Sequence, residues 1–379
     1  EKGYVRWHTV EGSFVLERKG VYYQMFSGGN WQNPTYGVSY ATAPSLGTQD
    51  EWEQAALPIL RSGGEVIGPG HNSVVRGPDN RQLYCVYHRW SPDSSARVMA
   101  IDPLDWAGER MLVLGPTTTP RPAPNPPTGS DPGPRLLGPG EELRYEAGTT
   151  SFLVEVSARG SGFAVVLEDG GGPLMRLGSA SRSESAVHLL RVEVDGLRGS
   201  FLLDGYLLWQ GNLERPADRI ALVAGRDPAE FSGLALTAGW EDLFLEEGGR
   251  LRVTGSEIFR GPALVDYELV VNARLDGDSG QWSIAPALDG ELGPRLVLER
   301  RDGGWALELS GAGEQILPSF DPSRDQQFRF RKLNGMVEVS WEGMALGTFP
   351  APSGATRIGV GGRGASFEMI RVTSLAGSV

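Results

Sequence analysis

The stretch TVEGSFVLERKGVYYQMFSGGNW, residues 9–31, decides the fold. An apolar run at Phe14 to Leu16 and an aromatic run at Val21 to Phe26 flank Lys19-Gly20, the pattern of two antiparallel strands joined by a tight turn. YGVSYATAPSLG at 36–47 adds a third strand ending in a Pro and Gly turn, so this stretch predicts one small meander sheet. The pattern then recurs. GPGHNSVVRGPDNRQLYCVYHRW at 68–90 reads as two strands about a Pro78-Asp79-Asn80 turn, and ARVMAIDPLDW at 96–106 as a third that carries Arg97. Helical periodicity is nearly absent elsewhere too, and the predicted class is all-β.

The chain has 379 residues with 53 Gly and 26 Pro, and 40% of it is hydrophobic, enough to fill cores and to exclude global disorder. Thirty-five basic against 47 acidic residues give a net charge of −12, which argues against nucleic acid as a partner. The single cysteine, Cys85, has no partner for an internal disulfide, and no Cys/His spacing suits zinc, so packing alone must hold the fold. No apolar stretch approaches the roughly 18 residues of a membrane span. Residue 1 is Glu, with neither Met nor a signal peptide after it, which predicts a processed chain or a fragment.

TTTPRPAPNPPTGSDPGP, residues 117–134, predicts a semi-rigid linker without strands, because Pro fixes φ and removes ladder donors. Beyond it lies a weak internal repeat. Asp204-Gly205 and Glu342-Gly343 each precede an Arg-Ile pair (Arg219-Ile220, Arg357-Ile358), then a Gly-Arg (Gly225-Arg226, Gly362-Arg363), then a Phe (Phe231, Phe367). Strand, turn, strand and a closing strand anchored by a buried Phe predict two sandwiches in tandem, residues 135–239 and 240–379. Both units resemble the concanavalin A-like (laminin-G-like) jelly rolls that accompany carbohydrate-active enzymes; FRGPALVDYELVVNARLDG at 259–277 is similar to opening strands and RIGVGGRGASFEMIRVT at 357–373 to a last strand. A jelly roll serves many roles, so packing is the first expectation for them and glycan binding the second.

Residues 1–116 resemble the last two blades of the five-bladed β-propeller of glycoside hydrolase family 43, the arabinofuranosidases, β-xylosidases, arabinanases and related enzymes. The resemblance implies that Glu11, in Glu-Gly-Ser, is the general acid, although Ser13 stands where Pro is commoner. It implies that His71 is a central-channel residue holding a hard cation such as calcium, directly or through water, and that Arg97 approaches the catalytic carboxylates. Phe14, Trp31, His88 and Trp90 are expected to divide between blade core and pocket wall, with Phe14 and Trp31 assigned to substrate. Asp102 and Asp105 read as members of an Asp-Pro turn and are not assigned to catalysis.

The family's two other carboxylates, a base and a modulator of the acid, belong to earlier blades and have no counterpart ahead of Glu11. An inverting glycosidase needs acid and base about 6.5–9.5 Å apart. The chain is therefore expected to be part of a split or nicked inverting enzyme, inactive until a second polypeptide supplies the missing blades. Secretion and α-L-arabinofuranosides or β-xylosides of plant cell walls are the implied setting and substrates, with no organic cofactor, nucleic acid or membrane. The alternatives are a non-catalytic carbohydrate-binding or structural protein built on a propeller remnant, and an adhesion-type lectin.

Overall fold

The computed structural model describes residues 9–47, 52–179, 185–242, 250–255, 258–277, 280–288, 294–301, 304–309, 313–316 and 320–375. Every named element among them is a strand. The chain folds as two compact units, one holding two blade-like sheets and the other two sandwiches.

The first sheet runs in sequence order through β1 (Thr9–Arg18), β2 (Val21–Gly29), β3 (Gly37–Ala43) and the short β4 (Glu53–Gln54), and β5 (Leu60–Arg61) also pairs with β3. A second meander follows: β6 (Gly70–Arg76), β7 (Leu83–Trp90), β8 (Arg97–Ala107) and β9 (Arg110–Val113), again in sequence order. Antiparallel strands paired strictly with their chain neighbours are the build of propeller blades. The two sheets share one core. Tyr23, Met25 and Tyr40 from the first meet Cys85, Tyr87 and Leu104 from the second. Met25 and Leu104, 0% and 1% exposed, each contribute about 1.5–3 kcal/mol by leaving water.

Asp102 and Asp105 lie inside β8 and not in the turn the sequence suggests. Pro103 is tolerated there because its carbonyl accepts from Leu114 N at 2.8 Å, so the side on which it lacks a donor faces chain beyond the end of β9. The buried Asp102 carboxylate accepts from Tyr87 Oη at 2.7 Å and Thr117 Oγ1 at 2.6 Å, a satisfied structural role.

The second unit begins its strands at β10 (Gly129–Asp131), which pairs with the segment Leu234–Leu236. The stretch 117–134 is thus not wholly strandless: Gly129-Ser130-Asp131 is a Pro-free triplet that keeps its donors. β11 (Arg135–Leu137), β12 (Glu142–Glu146), β13 (Ser151–Gly160), β14 (Phe163–Asp169), β15 (Gly172–Ser179), β16 (Val187–Asp195), β17 (Arg198–Leu203), β18 (Tyr206–Asn212), β19 (Arg219–Ala224) and β20 (Ala229–Ala238) complete the first sandwich. One sheet is ordered β10-β20-β13-β16-β17-β18, with β11 also on β20, and the other β12-β19-β14-β15. Period-2 alternation turns Phe152, Val154 and Val192 of one sheet onto Val165, Ile220 and Leu222 of the other.

In the second sandwich β21 (Trp240–Asp242), β22 (Leu251–Thr254) and β23 (Ile258–Leu264) all pair with one long last strand. Between lie β24 (Tyr267–Leu275), β25 (Gln281–Leu288), β26 (Leu296–Arg301), β27 (Gly304–Leu309), β28 (Gly313–Ile316), β29 (Gln326–Leu333), β30 (Met336–Trp341) and β31 (Met344–Pro350), before β32 (Thr356–Ser374). The order is β28-β27-β26-β25-β32-β24-β29-β30-β31, so β32 serves two layers, pairing with β25 through its first half and β24 through its second. Its counterpart in the first sandwich is broken into β19 and β20 by Gly225-Arg226-Asp227-Pro228, where Pro228 interrupts the ladder; Gly362-Arg363-Gly364 bends but does not stop β32.

Candidate functional site

Glu11 owes its direction to a bulge. Glu11 pairs with Ser27 and Phe14 with Met25, so Gly12 and Ser13 on β1 oppose Phe26 alone. Without the extra residue, positions 11 and 14 would face opposite sides of the sheet; with it, Glu11 joins Ser27, Met25 and Tyr23 on the face that carries the blade core. Gly12 supplies the required backbone at φ 65°.

β6 carries a second bulge. Gly70 pairs with His88 and Ser73 with Val86, leaving His71 and Asn72 opposite Tyr87. His71 takes φ 51°, uncommon for a residue with a side chain, and its backbone N–H donates to Ser27 Oγ at 2.6 Å. The two bulges are therefore tied through Ser27, the cross-strand neighbour of Glu11.

Tyr36, at the entrance to β3 and 0% exposed, donates its hydroxyl to Glu11 Oε1 at 2.7 Å. Its ring lies parallel to that of His88, with centroids 5.7 Å apart and planes 8° apart. The other restraint is Gly70: a Cβ there would fall 2.1 Å from Tyr36 Cε1, so only glycine admits the ring. Burial, and then the carboxylate it serves, push the Tyr36 hydroxyl up to about 12, so it stays a donor at neutral pH.

Arg97, opposite Trp90 in the β7–β8 hairpin, has Nη1 3.5 Å from His88 Nε2 and its guanidinium 5.1 Å from the Trp31 ring centre. Trp31 stacks on Trp90 at 6.3 Å and accepts Trp90 Nε1–H on its carbonyl at 3.0 Å. A guanidinium only donates, so His88 Nε2 is the acceptor, and burial first, then Arg97 and His71, hold the imidazole below its ordinary value. Among the described residues, His88 Nδ1 is buried without a partner.

Glu11, His71, Arg97 and Trp31 are thus gathered near Tyr36 and His88. Phe14 is not. It packs, half-buried, against the blade core beside Met25, because the bulge that orients Glu11 places it on the same core-facing side one register step inward. Tyr36 and Gly70 escape sequence reasoning, although a glycine immediately before a histidine that a family motif marks is a signal of close approach.

The described residues around His71 do not by themselves supply the oxygen shell of a hard cation. Among the described residues no group of three or more His, Cys, Asp or Glu side chains gathers for a metal. The nearest ring is the imidazole of His88, 6.4 Å away between centroids, with a guanidinium beside it, whereas calcium takes six to eight oxygens.

The family match falls on this region. Residues 2–111 match the family model described as glycosyl hydrolases family 43. β-D-Galactofuranosidase xynD of Aspergillus niger is 43% identical over 90 residues, which cover 23% of this chain and 25% of that protein. A thermostable family-43 glycoside hydrolase of known structure is 37% identical at a TM-score of 0.30, covering 31% of this chain and 39% of the other. Mouse laminin α1 domains LG4-5 are 12% identical at a TM-score of 0.22, covering 69% of this chain and 95% of theirs. The match spans about a quarter of the curated relative's length. The family's motifs, in order around Glu11, His71 and Arg97, lie within residues 2–111, the stretch that is similar to glycosyl hydrolases family 43.

Proposed function

We propose that this segment supplies the general acid of an inverting glycoside hydrolase, and that Glu11 is that acid. The observation that carries the reading is the setting of Glu11: a carboxyl turned inward by a bulge, held on one oxygen by a buried tyrosine, and left with Oε2 to deliver a proton. Cleavage breaks the bond from the anomeric carbon to the leaving oxygen. Glu11 Oε2–H protonates that oxygen, while water attacks from the opposite face and gives its proton to a carboxylate base. Arg97, exposed and lying on Trp31, is available to a carboxylate of the base or of the modulator.

The base comes from other blades of the propeller. The outer face of the second blade supports this: Met99, Ile101 and Val75, 78%, 50% and 43% exposed, form an apolar surface suited to a further sheet. α-L-Arabinofuranosides or β-xylosides of plant cell-wall polysaccharide are the proposed substrates, with galactofuranosides as the competitor suggested by the name of the Aspergillus relative. Such polymers do not enter cells, so the enzyme works outside them.

The test is Glu11→Gln in the enzyme that contains this segment. Turnover of unactivated oligosaccharides should fall by about 10²- to 10⁴-fold, the usual worth of a positioned proton donor, with aryl glycosides of acidic phenols falling much less. Undiminished turnover of both would remove Glu11 from the site and leave a binding or structural role.

A further inference from the structure

We propose that Tyr36 is the positioning residue of the general acid, fixing which oxygen of Glu11 carries the proton and steadying the carboxylate that forms when the proton leaves. The inference rests on the reading of Glu11 as that acid and extends it to a residue outside the sequence motifs.

Tyr36 Oη donates to Oε1 at 2.7 Å. While Glu11 is protonated, Oε1 is a carbonyl-type oxygen that accepts this bond, so the transferable proton sits on Oε2. As it passes to the leaving oxygen, negative charge spreads onto Oε1 and the same hydrogen bond becomes charge-assisted. A bond that strengthens as the reaction advances stabilises the transition state more than the ground state. Tyr36 keeps its own proton throughout, and burial makes it a reliable donor by raising its hydroxyl to about 12.

The donor is also pre-organised. The ring lies parallel to the imidazole of His88, at 5.7 Å and 8°, and against the bare Cα of Gly70, the cross-strand neighbour of His88. Two strands of the second blade thus hold a side chain that enters from the first, while a bulge on the first aims the carboxyl at it. Few alternative orientations remain for the hydroxyl, so little reorganisation accompanies proton transfer.

Tyr36→Phe removes one oxygen and keeps the ring. In the enzyme that contains this segment, kcat for unactivated oligosaccharides should drop by about 10- to 100-fold, the usual worth of a hydrogen bond to a charged group, with KM little changed. Aryl glycosides with acidic phenol leaving groups should lose much less. The ratio of the two rates is read in one preparation, so partial misfolding of the variant cancels. A merely structural tyrosine lowers both rates together, and an unchanged ratio would overturn the proposal. Glu11→Gln run alongside separates the two claims: loss of the ratio there but not in Tyr36→Phe defeats this inference alone, whereas no change in either variant defeats the reading of Glu11 as acid.

Discussion

Asp204 and Asn334 in the sandwiches and His71 in the second blade share one backbone conformation, with φ of 52°, 52° and 51°. Their places differ. Asp204 and Asn334 each precede a glycine, Gly205 at φ 82° and Gly335 at φ 73°, in two-residue turns between β17 and β18 and between β29 and β30. Such turns demand positive φ at both central positions, so the conformation there serves the connection of strands. His71 has no such excuse: it lies inside β6, at a bulge that interrupts the ladder. Left-handed backbone within a strand is held only where the surroundings over-determine it, here by the bond from His71 N to Ser27. The sandwiches place this conformation at the ends of strands; the blades do so too, at Lys19, Asn80 and Ser94, but at His71 they also place it within a strand, beside Glu11 and Tyr36.

The sharpest way to break this contrast is Gly70→Ala. The added methyl meets Tyr36 Cε1 at 2.1 Å, and the fully buried ring has no free side to which it can retreat. Overpacking of this kind costs about 1–3 kcal/mol. Because the ring carries the donor to Glu11, turnover should fall at least as far as in Tyr36→Phe, and melting temperature should fall with it. Normal turnover in a destabilised Gly70→Ala would mean that Tyr36 can move without consequence for Glu11.

How much of this is legible in the sequence follows from what each residue is bound to. The hairpins declare themselves through Lys19-Gly20, Asp204-Gly205 and Glu342-Gly343, and each pair takes the positive φ that such turns need. Phe231 and Phe367, marked by the repeat, are buried at 1% and 0%. That Glu11, His71 and Arg97 lie near one another is legible because family motifs mark them; their roles are part of the proposal. Tyr36 is not: it stands in an Asn-Pro-Thr-Tyr-Gly connection with no periodicity of its own, and its partners lie 25 residues away at Glu11 and on another sheet at Gly70 and His88. Phe14 misleads for the opposite reason, since no local pattern reveals that a bulge separates it from Glu11 and leaves both on one face.

Gly205→Ala tests the other side of the contrast. Among the described residues no atom lies within 4 Å of the added methyl, so the substitution meets the backbone penalty of an L-residue at φ 82°. That penalty is about 1–2 kcal/mol. The second unit should melt earlier by the corresponding few degrees, about 2–8 °C at roughly 2–4 °C per kcal/mol for a domain of that size, with turnover per folded molecule unchanged. A loss of turnover larger than the loss of folded protein would show that the sandwiches take part in the chemistry, and the division of labour would have to be redrawn.

The smallest effect expected is a pH dependence at His88. Burial, Arg97 and His71 lower its proton affinity in the folded chain, and Glu11 opposes them only in part. The unfolded chain, with an imidazole near the ordinary value of 6.5, then binds more protons than the folded chain on the acid side. Stability is therefore fully present above that value and declines as pH falls through it. The geometry gives the same sign. Arg97 faces Nε2 as a donor, so a second proton there sets two donors against each other, and among the described residues the buried Nδ1 has no acceptor to reward the charge. Melting temperatures at about pH 7.5 and about pH 5.5, either side of the imidazole range, read the effect. The unsubstituted chain should lose more on acidification than His88→Gln, whose amide does not titrate. Parallel losses in the two would place the acid sensitivity at other groups and leave the His88 imidazole as a packing surface for Tyr36.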